Sequence, residues 1–309
     1  MPDKVILIHN GALGDFLLAW PTAWAAARAF AGKRLVWAGS RERLRWLSPM
    51  GYEPCTSEER RLLDRLHGAD SWPAALEDAR VFWPVIRRIP DVPPSSACRF
   101  LRAVQGERHV RDAYAADLAL AGVPTPKGWL EDFRRLFAAG RNPGRTVLLF
   151  PGAGHPLKQW PLVQFFQLAD ALPGEGFAPL FVLGPAERDE GMDLGGRPYA
   201  APESLEALEA LLLGAGAVVG GDTGPMHLAG MLGVPGVSLF GPTRFGQWGP
   251  PGMVEVRLAL PCAPCTADCS DLRCADAACM AGIAAPPVLE SLKRGMPQMG
   301  SGFQGPGIP

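Results

Sequence analysis

AVVGGDTGPMHLAGMLGVPGVSLFGPT, Ala217 to Thr243, reads as strand, turn, helix and strand. AVVGG (217–221) and GVSLFG (236–241) are short β-rich runs, and Pro225 between them marks the first turn of a helix. Two strands separated by a helix form a parallel pair through a crossover connection. The stretch carries one acid, one histidine and two threonines among glycine, proline and small apolar residues. Asp222 and Thr223 sit in the turn at the carboxyl end of a strand, where open α/β sheets bind ligands. The free N–H groups of the following helix make an anion site that suits a diphosphate. His227 on the first helical turn either adds a hydrogen bond there or is a satisfied structural group.

The same alternation extends in both directions. TVLLFPG (146–152) and APLFVLG (178–184) read as strands, PLVQFFQLADAL (161–172) and SLEALEALLLGAG (204–216) as helices, the latter with Ser204 as its cap. An earlier series has strands in KVILIH (4–9), RLVWAG (34–39) and RVFWPV (80–85). Helical patterns fall at Asp15 to Phe30, RERLRWL (41–47) and His109 to Ala121. The chain is therefore expected to be α/β, with one half over 1–142, a second over 143–294 and a disordered tail over 295–309. Residues 50–100, rich in Pro and Trp, give no clear pattern.

Each half opens with a strand that runs into a glycine turn. IHNGALGDFLLAWP places Gly11, Gly14 and Asp15 where the chain leaves the first strand, so Asp15 faces a cleft or caps the helix. The glycine spacing is not G-x-G-x-x-G, and G-x-x-x-x-G-K-[ST] is absent, which removes the main support for a dehydrogenase or a P-loop enzyme. PGAGHPLKQWP (151–161) places Lys158 just before a helix, as a point charge for phosphate or as a solvated loop lysine.

Composition restricts the partners. Thirty basic and 31 acidic residues among 309 give a formal charge of -1, with no sign of a general grip on nucleic acid. No apolar run is long enough for a signal peptide core or a membrane span, so the expected location is cytoplasmic.

GALGDFLLAWP, PGAGHPLKQWP and GGDTGPMHLAGMLGVPGVSLFGPTRFGQWGP, in that order and spacing, resemble glycosyltransferase family 9, the ADP-heptose:lipopolysaccharide heptosyltransferases and their relatives. The resemblance covers roughly residues 4 to 290. It implies a GT-B fold, two Rossmann-like domains facing each other across a cleft, with the nucleotide-sugar donor on the C-terminal one and the acceptor on the N-terminal one. It also implies that Asp222, Thr223 and Gly224 hold the donor, that Met226 and His227 line its pocket, that Lys158 contacts phosphate and that Asp15 is the catalytic base. The implied reaction is inverting transfer of a heptose from ADP-heptose to a lipopolysaccharide-core or related lipid-linked saccharide, at the inner membrane periphery, with no required cofactor. The alternatives are a GT-B nucleotide-sugar epimerase or hydrolase, and a non-catalytic nucleotide-sugar-binding protein. One departure lies six residues before Asp15, where relatives carry Arg or Lys and this chain has His9. The match is also weaker over 50–105.

Cys262, Cys265, Cys269, Cys274 and Cys279 crowd into one segment with C-x2-C-x3-C-x4-C-x4-C spacing. They are candidate ligands for a structural zinc, with reduced packing cysteines or disulfides as the alternative.

Overall fold

A computed structural model describes residues 2–86, 88–267, 272 and 274–295. The expected tail from 296 onward and Cys269 lie outside the described residues.

The first half builds a five-stranded sheet. Its strands are β1 (Lys4–His9), β2 (Arg34–Gly39), β3 (Tyr52–Pro54), β4 (Ala79–Val85) and β5 (Cys98–Arg102), in the order β3-β2-β1-β4-β5. The second half builds a six-stranded sheet from β6 (Thr146–Phe150), β7 (Ala178–Val182), β8 (Tyr199–Ala200), β9 (Ala217–Gly220), β10 (Gly236–Leu239) and β11 (Val254–Val256), in the order β11-β10-β9-β6-β7-β8. Every pairing is parallel, as helical crossovers require. The near-continuous apolar runs Val5–Ile8, Leu35–Ala38 and Val147–Phe150 are buried on both faces.

The helices that position the site are α1 (Leu13–Ala29), α2 (Ser57–Asp64), α3 (Val110–Leu120), α4 (Trp129–Phe137), α5 (Leu162–Ala171), α6 (Pro185–Asp189), α7 (Leu205–Gly214) and α8 (Gly224–Leu232). Ser204 caps α7 as expected, its Oγ accepting from the Ala207 amide at 3.1 Å. Within the unclear 50–100 region, α2 is closed by a reciprocal box: Thr56 Oγ1 accepts from the Glu59 amide and the Glu59 carboxylate accepts from the Thr56 amide. RERLRWL departs from an α-helix. Arg41–Trp46 is a 3-10 turn, closed by Leu47 N–H donating to the Leu44 carbonyl.

One apolar core runs through both halves, from Phe16, Trp20 and Trp46 to Leu148, Met226 and Leu228. Trp20 meets Phe133 of α4 edge-on at 5.0 Å, and Arg134 of α4 donates to the carbonyls of Gly230 and Met231 at the end of α8. Burial of such large side chains across the junction sets the two sheets against each other.

Candidate active site

In the first sheet the strand order reverses direction between β1 and β4, and in the second between β6 and β9. Such reversals open crevices at the carboxyl ends of the strands. The two crevices face each other and merge in a cavity of about 950 Å³, within the range that encloses small-molecule ligands. Asp15, Lys158, Asp222, Thr223, Gly224 and His227 all line it. The sequence motifs thus converge although they are spread over more than 200 residues.

The amino ends of α1 and α8 meet at the cavity floor. A side chain at Gly14 would stand 3.2 Å from the His227 ring and 3.4 Å from Gly224 Cα, and one at Gly224 would meet Leu13 Cβ at 3.0 Å and the Gly14 amide nitrogen at 3.1 Å. Glycine at both positions lets the two backbones approach. Two positive helix ends therefore point into one cavity.

Asp15 fulfils both of its sequence readings. Its Oδ2 accepts from the Ala12 amide at 3.1 Å, which closes the first turn of α1, and its carboxyl still lines the cavity. Burial raises its pKa, with the nearby Asp222 acting in the same direction; the Ala12 amide, His227 and Lys158 oppose it.

Lys158 is not a solvated loop lysine. Its Nζ donates to Asp222 Oδ2 at 2.7 Å, with the lysine side chain 17 % and the aspartate 9 % exposed. Asp222 also accepts from Thr243 Oγ1 at 3.2 Å, and His227 Nε2 lies 3.7 Å from its Oδ1. Burial disfavours the Asp222 charge, but Lys158 and His227 outweigh it and hold the carboxyl down at about 2. An ionised carboxylate accepts but does not donate, so the donors beside it at this wall are Lys158 and His227. Thr223, extended at the N-cap of α8, makes no side-chain cap, and it lines the cavity together with Gly224 and Pro225.

Met226 departs from the expectation that it lines the pocket. Its side chain is fully buried against Gly220 and is absent from the cavity lining. The helical turn that brings His227 to the cavity turns Met226 into the core.

Sequence reasoning missed Glu187. Its carboxylate accepts from the Gly184 amide at 2.8 Å at the start of α6 and lines the cavity in the second half with Gly152, Ser204 and Leu205. The signal was present in G-P-A-E, proline at the first helical position and glutamate at the third.

Among the described residues, no group of three or more His, Cys, Asp or Glu side chains is placed to hold a metal ion. Cys262, Cys265 and Cys274 are exposed, and Cys279 is buried with its thiol pushed up by burial and by those three neighbours. Among the described residues, no helix is long and apolar enough to cross a membrane.

Residues 100–275 match the model of glycosyltransferase family 9 (heptosyltransferase). The chain is 38% identical over 135 residues to lipopolysaccharide heptosyltransferase 1 of Pseudomonas aeruginosa, a match that spans 41% of this chain and 38% of that relative. A family 9 glycosyl transferase from Veillonella parvula superposes with a TM-score of 0.64 at 16% identity, over 95% of this chain and 97% of that one. E. coli heptosyltransferase WaaC with ADP superposes with a TM-score of 0.62 at 18% identity, over 94% and 99%. The fold is that of the GT-B heptosyltransferases.

Proposed function

Because the chain belongs to glycosyltransferase family 9, we propose that it transfers a heptose from ADP-heptose to a lipopolysaccharide-core or related saccharide, with inversion at the anomeric carbon. The observation that carries this reading is the placement of Asp15 from the first half opposite the Lys158–Asp222 pair of the second, at the wall of one cavity. We assign the acceptor to residues 1–142 and the donor to 143–294.

In this reaction an acceptor hydroxyl attacks the anomeric carbon while the bond to the diphosphate oxygen breaks. The hydroxyl proton passes to Asp15, and the bonding electrons leave with the nucleoside diphosphate. Burial that raises the Asp15 pKa makes it a stronger base. The Lys158 ammonium and the first turn of α8 at Thr223 and Gly224 stabilise the charge that grows on the leaving diphosphate. His227 adds a donor to the same anion. Glu187, an acceptor-only carboxylate on the donor side, suits the vicinal hydroxyls of a ribose. No step in this scheme calls for a metal, because the cation and the amide dipoles already meet the departing charge.

Leu18, Glu42 and Ile86 form the opposite wall, space that a transferase uses for its acceptor and a hydrolase does not need. That wall favours transfer over an epimerase, a hydrolase or a mere binding protein. In the same half Arg61, Arg65, Arg88 and Ile89 are exposed, basic and apolar groups that suit a surface holding a lipid-linked acceptor at the cytoplasmic side of the inner membrane. Sedimentation with anionic and neutral vesicles tests this surface; binding to anionic vesicles that weakens with salt is the expected result. The reaction itself is tested by incubation with ADP-heptose, with and without a lipopolysaccharide-core acceptor. ADP release that depends on acceptor is expected, and free heptose released without acceptor would instead identify a hydrolase.

A further inference from the structure

The 3-10 turn Arg41–Trp46, between β2 and β3, touches both sides of the cleft. Its end reaches the donor half: Arg45 Nη2 donates to Glu209 Oε1 at 2.8 Å and Trp46 Nε1 donates to Glu209 Oε2. Glu209 is buried on α7, whose Leu205 and Leu208 line the cavity. The middle of the turn points inward. Arg43 Nη1 lies 3.2 Å from His9 Nδ1, and the guanidinium sits 5.5 Å from the centre of the Phe16 ring.

A guanidinium only donates, so His9 Nδ1 accepts and the ring is the neutral tautomer with its proton on Nε2. Burial, with Arg43 acting the same way, lowers the His9 pKa to about 3. The positive charge in this corner therefore belongs to Arg43 and not to the histidine that ends the first strand. The His9 ring also meets the Phe16 ring edge-on at 5.9 Å, one residue past Asp15. Its Cε1 and the Asp15 Oδ2 stand 3.0 and 2.9 Å from the point a side chain at Gly11 would occupy, so imidazole and carboxylate share a space that only glycine leaves open.

We propose that Arg43 is a positioning residue for Asp15: it fixes the His9 ring, which shares the gap at Gly11 with the Asp15 carboxylate. The proposal rests on the reading of Asp15 as the base. Asp15 is faced by His9 from β1, Arg43 from the 3-10 turn, Tyr114 from α3, Lys158 from the turn after β6, and Asp222 and His227 from the start of α8. Lys158 is paired with Asp222, whereas Arg43 meets the His9 ring.

The test is the pH dependence of kcat for the full chain and for Arg43→Met, Arg43→Lys, His9→Phe and Asp15→Asn, with donor KM and melting temperature alongside. Arg43→Met frees the His9 ring beside Asp15 and removes a positive charge that Asp15 attracts, so the acid limb of kcat should move upward, with donor KM unchanged. Arg43→Lys should return the limb toward the parent position, and His9→Phe should lower kcat while its ring still fills the space beside Phe16. An unmoved acid limb in folded Arg43→Met, or an undiminished kcat in His9→Phe, overturns the proposal while an inactive Asp15→Asn leaves the base in place. An active Asp15→Asn overturns the underlying reading instead. Should Arg43→Met not fold, His9→Phe and Arg43→Lys still decide.

Discussion

Replacement of Lys158 by alanine separates the grip on diphosphate from the rest of the site. In the parent protein its ammonium stands 2.7 Å from Asp222, and both side chains are largely buried. Removing one partner of such a pair costs about 3–5 kcal/mol, because the other is left charged and unpaired. Asp222 keeps Thr243 Oγ1 at 3.2 Å and His227 Nε2 at 3.7 Å, which places the expected loss at the lower end of that range. The sign with pH follows from the Asp222 pKa. A carboxyl held down at about 2 contributes stability that is present above the ordinary carboxylate range and lost as pH falls through about 2. Without Lys158, burial pushes that carboxyl upward and protonation relieves it, so the deficit should be largest at neutral pH and shrink toward pH of about 4. Urea unfolding across this range measures it. Calorimetry supplies the second arm. Loss of a charge-assisted contact worth about 1.5–3 kcal/mol weakens ADP and nucleotide-sugar binding by about 10- to 150-fold and leaves adenosine binding nearly unchanged. Equal losses for ADP and adenosine, or a stability deficit that grows on acidification, would refute the reasoning.

Asp15→Asn should lower kcat by about 10²–10⁴-fold, the worth of a positioned base. Because a raised carboxyl pKa means that the ionised form costs stability above that pKa, and because asparagine Oδ1 can still accept from the Ala12 amide, its melting temperature should not fall. A folded variant with parent turnover would remove Asp15 from the chemistry. Gly224→Ala forces a methyl against Leu13 Cβ and the Gly14 backbone, so α1 and α8 must separate; reduced kcat and donor affinity together are expected, and parent kinetics would show that the contact does not set the cleft. In a timed alkylation read by mass spectrometry, exposed Cys262 and Cys274 should react well before Cys98, whose buried thiol is pushed up to about 12, and Cys279. Early labelling of Cys98 would contradict its placement.

What the sequence disclosed follows from how local each signal is. β-branched and apolar runs such as VILI and VLLF mark parallel strands because both faces are buried, and the glycine turns after them mark the crevices. The motifs GALGD, LKQWP and GGDTGPMH also pointed to the family, and the family model matches from residue 100 to 275. RERLRWL misled because its apolar spacing also fits an α-helix, whereas Arg45 and Trp46 are drawn to Glu209, 163 residues beyond Trp46. The Lys158–Asp222 pair, 64 residues apart in the chain, and the Arg43–His9 contact, 34 apart, were likewise out of reach of local pattern. Met226 and His227 are neighbours in a helix, and only the packing of α8 shows which faces the cavity. Thr56-Ser-Glu-Glu59, by contrast, was a legible capping box inside the region that had no clear pattern.

The central claim is one inverting transfer across the cleft, and the most direct measurement is a proton NMR time course of ADP-heptose with a lipopolysaccharide-core acceptor. The account predicts one ADP released for each new glycosidic bond, with the anomeric configuration opposite to that of the donor, and a reaction slowed by about 10²–10⁴-fold in Asp15→Asn. A product with retained configuration, an epimerised donor, or ADP released at the same rate without acceptor would contradict it.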